Sequence, residues 1–336
     1  WTLSLLAANL LTQGVLEQDQ EILIVTLVNS AVNNFYQRVS GFVTNRGLIP
    51  NSGYRVRTLH GLANDIVHER PDLVGLQDGF QIIDDNEADD IRVDVARAWL
   101  QNHPDYLNEY LSDSIESGKM DWVQREQLPD LIKDIAISFI RYAKDLRETP
   151  DRLNHQIELL PIPLPLARMG CEIYANYQRA LAYRGAVDFD DLIRLSLLAL
   201  ESDVKLLERM RHRWPYILED EAQDSSALQE QILSLLSGPH GNWVRVGDPN
   251  QAIYETFTTA NPRYLRQFIR SRGVRSEELP NSGRSTASVI KLANFLARWT
   301  STAHPTQAVR DALNSAPEIQ PVPQDDPQPN PPDQPE

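Results

Sequence analysis

Two short apolar segments that each end in polar residues constrain the fold of this chain most strongly. The segment 214–218 has the pattern of a buried strand, and Asp220 and Glu221 follow its end. Further along, the apolar segment 243–246 runs into 247–251, which has the pattern Gly-Asp-x-x-Gln. Open α/β sheets bind ligands outside the carboxyl ends of their strands. The two strand ends are therefore predicted to form one nucleotide site.

The acidic pair Asp220-Glu221 has the composition of a nucleotide-hydrolysis site. In P-loop NTPases an Asp at this place holds Mg²⁺. A neighbouring carboxylate can orient and deprotonate the attacking water. An isolated Asp-Glu pair after a strand is also typical of a solvated turn or a helix N-cap. The Gly-Asp-x-x-Gln pattern at the end of the second strand favours a nucleotide site over a solvated turn or a helix N-cap.

The alternation of helical and extended patterns predicts an α/β fold. Such alternation is typical of a parallel sheet with helices on both faces. The predicted elements of the first segment are helices at 2–14, 29–44 and 60–69 and strands at 21–26 and near 54–58.

From residue 88 to residue 183 the pattern becomes helical. Amphipathic helices are predicted around 91–100, 106–115 and 131–146. A Pro-rich turn then leads into a last helix that carries Tyr174, Tyr177 and Tyr183. These tyrosines fit a helical core better than a DNA-contacting surface.

Several segments of the chain resemble, in the same order, the conserved motifs of superfamily 1 DNA helicases of the UvrD/Rep type. The stretch 217–254 is similar to motifs II and III of that family, whose motif II reads D-E-x-Q-D. Four other segments resemble further motifs in the family's order: 22–31 motif Ia, 56–63 motif Ib, 186–192 a segment that precedes motif II, and 279–286 motif IV. The resemblance implies a RecA-like parallel sheet with helices on both faces, plus a helical insertion domain (1B).

The resemblance also implies domain bounds. The expected parts are 1–87 for the first part of ATPase domain 1A, 88–183 for the helical 1B insertion, 184–275 for the second part of 1A, and 276–303 for the start of a second RecA-like domain, 2A. Residues 304–336 are rich in Pro and acidic residues, and this composition predicts a disordered, extended or truncated segment.

A phosphate-binding G-x-x-x-x-G-K-[ST] pattern does not occur in the sequence. The opening segment 1–11 resembles the helix that directly follows this pattern in the family. Little sequence follows motif IV, too little for motifs V and VI. The expectation is therefore an internal fragment of a longer enzyme.

The resemblance implies roles for four residues in the use of ATP and Mg²⁺. Asp220 is the expected Mg²⁺ ligand, and Glu221 the residue that positions or deprotonates the attacking water. Gln251 matches the motif III residue that senses the γ-phosphate. Arg284 matches the motif IV Arg that stabilises γ-phosphate charge.

The same resemblance implies contacts with single-stranded DNA and duplex junctions. Stacking aromatics and backbone-phosphate donors are the usual means of binding a single strand without reading its sequence. His60 could equally be a plain structural histidine. The expected DNA-binding residues are Thr26, Asn29, Thr58, His60, Tyr254 and Phe257.

Three places depart from the family pattern. After Tyr254 the segment 255–260, which contains Phe257, lacks the usual Arg. Leu27 stands where Phe is common. Gly283 stands where relatives carry a Tyr that stacks on adenine, so adenine selectivity is expected to be shallow.

Composition sets limits on the partners. The net charge of −15 argues against a broadly basic nucleic-acid-binding surface. A local positive track is sufficient for a single strand, and Arg residues cluster in 261–276, although an ordinary solvated helix face explains them equally well. A single cysteine, Cys171, suits a reducing cytoplasm. No apolar run is long enough to predict a membrane span.

Three functional hypotheses follow from these observations. The first is part of an ATP-driven 3′→5′ DNA translocase and helicase. The second is a divergent relative that binds DNA or protein without hydrolysing ATP. The third is the helicase arm of a helicase–nuclease complex. The intact residues Asp220, Glu221, Gln251 and Arg284 favour a hydrolysing enzyme.

Overall fold

The computed structural model describes residues 1–106, 110, 117–239, 241–252, 260–313 and 318–333. The chain divides into two compact units, and each is described by itself. The first contains residues 1–247 with 260–261, and the second contains 248–252 with 262–333. Within these described ranges, no helix has both the length and the apolar character needed to cross a membrane.

The first unit contains six strands and eleven α-helices among its described residues. In chain order the strands are β1 (Ile22–Thr26), β2 (Tyr54–Thr58), β3 (Gln81–Ile82), β4 (Ala186–Val187), β5 (Tyr216–Glu219) and β6 (Asn242–Arg245). The helices are α1 (Thr2–Gln13), α2 (Asn29–Thr44), α3 (Leu59–Glu69), α4 (Asp85–Asn102), α5 (Ser117–Trp122), α6 (Leu128–Asp145), α7 (Pro150–Glu158), α8 (Pro165–Tyr183), α9 (Phe189–Ser202), α10 (Val204–Arg213) and α11 (Ala227–Ser237).

A four-stranded parallel sheet forms the centre of the first unit. Its strand order is β2-β1-β5-β6, and all three pairings are parallel. The predicted α/β fold class with a parallel sheet is therefore confirmed. Strand β1 lies inside the sheet, between β2 and β5, and all five of its residues are buried.

Alternate side chains of β1 explain why helices cover both faces of the sheet. Successive strand residues point to opposite faces. Ile22 and Ile24 pack in one core with apolar residues of α1 and α2. Leu23 and Val25 pack in a second core with residues of α3, α9 and α11. A strand that is buried on both faces requires a layer of helices on each side of the sheet.

The helices α4 to α8 form an insertion with its own core. Strand β3 precedes the insertion in the sequence and β4 follows it. The two strands pair in parallel, so the chain enters and leaves the insertion at neighbouring positions. Tyr174 and Tyr177 are buried in this core, as expected, whereas Tyr183 is 95% exposed. Most of the helix predicted around 106–115 lies outside the described residues.

A buried cluster of charges joins the insertion to the first turn of α9. Lys144 of α6 donates to Asp188 Oδ2 at 2.6 Å and to Asp191 Oδ2 at 2.9 Å. The Tyr177 hydroxyl donates to the same Asp188 oxygen at 2.6 Å, and Arg92 Nη2 does so at 3.3 Å. Burial alone would raise the pKa of Asp188, but Lys144 and the other donors hold it well below its usual range. Helices α4, α6 and α8 therefore converge on one carboxylate.

The second unit contains α12 (Arg263–Ile269), β7 (Asn281–Ser282), α13 (Ala287–Ala303), α14 (Gln307–Ala312) and β8 (Gln320–Pro321). Strands β7 and β8 pair in parallel. The expectation of a disordered or extended segment beyond Ala303 is wrong for α14. Residues 307–312 contain no Pro and two Ala, a composition that favours a helix. The prolines of this segment are concentrated further on, from residue 317.

The buried charge cluster generates a stability prediction. Replacing Lys144 by Met leaves Asp188 and Asp191 without their shared cation in a site from which water is excluded. We expect a loss of about 3–5 kcal/mol in the free energy of unfolding at pH 7, measured by urea denaturation. Because Lys144 holds the pKa of Asp188 well below its usual range, the loss is expected to persist at pH 4 and to shrink only as the pH falls further.

Lys133 provides a matched control on the same helix. It also faces two carboxylates, Asp130 at 3.8 Å and Asp134 at 3.6 Å, but both of these acids are largely exposed. Lys133→Met is expected to change stability by no more than about 1 kcal/mol. Equal losses for the two Lys→Met variants would contradict the assignment of Lys144 as the anchor.

Candidate active site

The carboxyl ends of three neighbouring strands bring predicted site residues to one edge of the sheet. Thr26 ends β1 and is in register with Thr58, which ends β2. Asp220 directly follows β5, and its backbone N–H donates to the Val25 carbonyl at 2.9 Å. Thr58, Thr26 and Asp220 therefore lie along one edge, in the order of their strands.

Glu221 has a backbone conformation that is rare for a residue with a side chain. Its φ of 55° and ψ of 42° lie in the left-handed region. The chain turns sharply here, and the Ala222 N–H donates to the Val246 carbonyl at 3.0 Å. The exposed Glu221 carboxylate accepts a hydrogen bond from Gln223 Nε2 at 2.7 Å. Such a conformation costs about 1–2 kcal/mol and persists only where surrounding contacts impose it.

A buried carboxylate that is not among the predicted site residues directly precedes the acidic pair in the chain. Glu219, the last residue of β5, is 2% exposed. Arg245 of β6 contacts it with two nitrogens, Nε at 2.7 Å and Nη2 at 3.2 Å. Its other donors are Trp243 Nε1 at 3.0 Å and the Ser225 hydroxyl at 2.6 Å. Arg245 Nη1 also contacts Glu230 of α11 at 2.6 Å.

Charged residues inside otherwise apolar strands are the sequence signal for this cluster. Glu219 follows Tyr-Ile-Leu, Arg245 follows Trp-Val, and the two are direct cross-strand partners. Burial raises the pKa of Glu219 above its usual range, although the Arg245 guanidinium opposes this shift. Burial likewise raises the pKa of Glu230. The sequence of either strand alone does not predict the contact between Glu219 and Arg245, because this contact depends on the register of β5 and β6.

The predicted DNA-binding residues of the first unit differ in how accessible they are. Asn29 is exposed at the first turn of α2, whereas Thr26 is 3% exposed. The Thr58 hydroxyl accepts from the Gly61 N–H at 3.1 Å and so caps α3. Among these three residues, only Asn29 has an exposed side chain.

His60 is half-buried against an aromatic ring. Its imidazole lies 5.1 Å from the ring of Phe189. Burial lowers the pKa of His60, although Asp190 and Asp85 oppose the shift. The side chain is therefore neutral at pH 7 and can act on a phosphate only as a hydrogen-bond donor. Both the structural and the DNA-binding interpretations of His60 remain compatible with this position.

Two arginines next to motif Ib are engaged in ion pairs. Arg55 makes a bidentate contact with Glu21, with Nε–Oε2 at 2.8 Å and Nη2–Oε1 at 3.2 Å. Arg57 Nε donates to Asp65 at 2.8 Å. Their charges are thus largely compensated within the first unit.

The second unit contains two of the predicted catalytic residues. Gln251 Nε2 donates to Asp248 Oδ2 at 2.9 Å. Arg284 is exposed between β7 and α13. Tyr254 and Phe257, the predicted stacking aromatics, lie outside the described residues.

Gly283, which precedes Arg284, is packed tightly against the chain. A Cβ atom at this position would lie 2.3 Å from the backbone oxygen of Gln328. The Asn330 side chain, from the same segment, donates to the Ser285 carbonyl at 2.7 Å. An aromatic side chain at position 283 would therefore require residues 328–330 to move.

A family model matches most of the chain. The model of the UvrD/REP helicase N-terminal domain matches residues 2–272. The chain belongs to this family. The match covers α1 to α12, and with them the parallel sheet, the helical insertion and both strand ends.

Three curated relatives show how far the similarity extends. ATP-dependent DNA helicase UvrD2 of Mycobacterium tuberculosis (strain CDC 1551 / Oshkosh) is 37% identical over 137 residues, which are 39% of this chain and 19% of the relative. ATP-dependent DNA helicase Rep of Escherichia coli (strain K12) is 25% identical over 287 residues, 85% of this chain and 37% of the relative. ATP-dependent DNA helicase PcrA of Staphylococcus aureus (strain Mu50) is 25% identical over 285 residues, 84% of this chain and 34% of the relative. The chain thus spans between about a fifth and about two fifths of these proteins.

The left-handed conformation of Glu221 generates a stability prediction. Glycine adopts this conformation without steric strain, whereas alanine does not. Glu221→Gly is therefore expected to be more stable than Glu221→Ala by about 1 kcal/mol in thermal or urea unfolding. Glu208, exposed in α10, is the control, since glycine in a helix is less stable than alanine by about 1 kcal/mol. The same order of stability at both positions would contradict the conformation assigned to Glu221.

Proposed function

We propose that this chain carries the ATP-hydrolysing site of a DNA helicase that moves along single-stranded DNA, with 3′→5′ polarity. One observation carries the proposal: the Asp220-Glu221 pair lies at the carboxyl edge of a parallel sheet, beside the ends of β1 and β6. Family membership supports it, because the relatives with this domain are ATP-dependent DNA helicases by name.

The residues at the sheet edge fit a magnesium ion. Mg²⁺ prefers hard oxygen ligands and is held in nucleotide sites by one or two carboxylates plus phosphate oxygens. Asp220 offers a half-buried carboxylate whose backbone is fixed by the hydrogen bond to Val25. The bound ion would neutralise charge on the phosphates of ATP. Asp220 would hold it.

Glu221 has the features of the general base. Its carboxylate is exposed, and its left-handed backbone turns it away from the strand direction. The Gln223 amide donates to one of its oxygens at 2.7 Å, which leaves the other available to a water molecule. We infer that Glu221 orients and deprotonates the attacking water. By the family resemblance, Gln251 and Arg284 would contact the γ-phosphate.

Binding of single-stranded DNA would use the exposed first turn of α2. The backbone N–H groups at a helix N-terminus and the Asn29 side chain can donate to phosphate oxygens. In the second unit, the exposed residues Arg263, Arg270 and Arg272 add a local positive charge. Thr26, Thr58, His60, Tyr254 and Phe257 complete the proposed contact set.

The assignment of Glu221 is tested by Glu221→Gln in the natural full-length protein. The amide preserves the shape of the side chain but cannot accept the proton from water. We expect kcat for DNA-stimulated ATP hydrolysis to fall by about 10²–10⁴. Binding of a fluorescent ATP analogue is expected to remain unchanged. Glu208→Gln, on exposed α10, is the control. A kcat for Glu221→Gln close to that of the control would contradict the assignment of Glu221 as the general base. A wild-type protein without ATP turnover would favour the hypothesis of a relative that does not hydrolyse ATP.

The proposed DNA contact is tested by Asn29→Ala. Loss of one uncharged hydrogen bond to a phosphate is expected to weaken oligonucleotide binding by about 2- to 10-fold. Because no charge is removed, the dependence of affinity on salt concentration should keep its slope. Asn33, exposed one turn later in α2, is the control. Equal affinities of the Asn29→Ala and Asn33→Ala proteins, measured by fluorescence anisotropy, would remove Asn29 from the contact set.

A further inference from the structure

The Glu219 carboxylate receives more donors than a structural ion pair requires. Four donor atoms from three residues converge on its two oxygens. Oε1 accepts from Ser225 Oγ at 2.6 Å and Arg245 Nη2 at 3.2 Å. Oε2 accepts from Trp243 Nε1 at 3.0 Å and forms an ion-pair contact with Arg245 Nε at 2.7 Å. Both oxygens are thus held in place, so Glu219 has little freedom to move.

The hydrogen bond from Ser225 closes the loop that carries the acidic pair. Residues 220–224 lie between Glu219 and Ser225, and the side-chain contact joins the two ends of this loop. Three backbone hydrogen bonds orient this loop. The N–H groups of Asp220 and Ala222 donate to the carbonyls of Val25 and Val246 outside it, and the Asp224 N–H donates to the Glu221 carbonyl within it. The contact between Glu219 and Ser225 is therefore positioned to hold the left-handed turn at Glu221.

Arg245 links the same carboxylate to the neighbouring strand and to α11. Its side chain is completely buried, it contacts Glu230 at 2.6 Å, and its guanidinium lies 4.4 Å from the centre of the Trp243 ring. Arg245 is also only two residues before Gly247, where the Gly-Asp-x-x-Gln segment begins. The ends of both site-bearing strands are thus tied to one ion pair.

We propose that Glu219, Arg245 and Ser225 are positioning residues that hold Asp220 and Glu221 in the geometry required for ATP hydrolysis. They would act through the loop 220–224, without contacting the nucleotide. This inference rests on the proposed function. It predicts that loosening the cluster lowers turnover more than it lowers the affinity for ATP.

A second cluster in the same sheet provides a matched control. Glu21 precedes β1 at the opposite edge and accepts a bidentate contact from Arg55, with further donors from Arg213 at 3.3 Å and the Trp214 indole at 3.4 Å. Glu21→Gln and Glu219→Gln therefore disturb similar sets of donors at opposite edges of the sheet. Of these two clusters, only the one around Glu219 is connected to the acidic pair.

The second test variant is Ser225→Ala, which removes one hydroxyl and creates no unpaired buried charge. Its control is Ser226→Ala, at the neighbouring buried position. The Ser226 hydroxyl accepts from the Gln229 N–H and caps α11, and the two residues form a capping box. Ser225→Ala keeps the proposal testable if Glu219→Gln fails to fold.

Two measurements on the natural full-length protein decide the matter. In steady-state ATP hydrolysis, Glu219→Gln and Ser225→Ala are expected to lower kcat by about 10- to 100-fold, with KM for ATP within about threefold of wild type. In amide hydrogen exchange, peptides covering 219–226 are expected to exchange about 10-fold faster in both variants. Glu21→Gln and Ser226→Ala are expected to leave kcat and the exchange of this loop within about twofold of wild type.

The two measurements separate this inference from the proposed function. If wild type hydrolyses ATP and Ser225→Ala matches Ser226→Ala in both kcat and loop exchange, the positioning role is overturned. If loop exchange rises while kcat is unchanged, the cluster holds the loop but does not serve turnover, and the inference is again overturned. If wild type has no ATPase activity, the proposed function fails, and the positioning role for hydrolysis fails with it.

Discussion

The position of β1 inside the parallel sheet is the constraint on which the rest of the first unit depends. With β2 on one side and β5 on the other, all five residues of β1 are buried and its backbone is paired along both edges. Two layers of helices are then required to cover the side chains that point to the two faces. The carboxyl ends of three strands consequently meet at one edge, and the chain must turn there. Those turns carry Thr26, Thr58 and Asp220.

Buried ion pairs lie next to two turns of the first unit, the turn that follows β5 and the first turn of α9. One is the Glu219–Arg245 pair behind the acidic turn, and the other is the Lys144–Asp188 pair at the first turn of α9. An ion pair of this kind is weak evidence for stability, because desolvation offsets much of its attraction. Its directional hydrogen bonds can nevertheless define one arrangement among several apolar ones. In both places the pair joins elements that are distant in sequence.

The two clusters act on different parts of the first unit. The cluster around Lys144 sets the attachment of the helical insertion, since α4, α6 and α8 all contribute side chains to Asp188 or Asp191. The cluster around Glu219 sets the loop that follows β5. Because α9 packs against α3, whose cap is Thr58, the insertion is also connected to the edge of the sheet where DNA contacts are proposed. The proposed nucleotide site and the proposed DNA contacts of the first unit therefore lie on the same sheet.

The amino-acid sequence by itself determined the periodic elements, the α/β class and the family. The predicted helix at 29–44 and strand at 54–58 coincide with α2 and β2, because each has a local apolar period that its neighbours do not interrupt. The tertiary structure alone decided which charged groups meet. Glu219 and Arg245 are separated by a whole helix, and Lys144 and Asp188 by two, so their contacts depend on strand register and helix packing. The left-handed turn at Glu221 is likewise imposed by contacts with β1 and with Val246, which follows β6, because no local signal favours it in a glutamate.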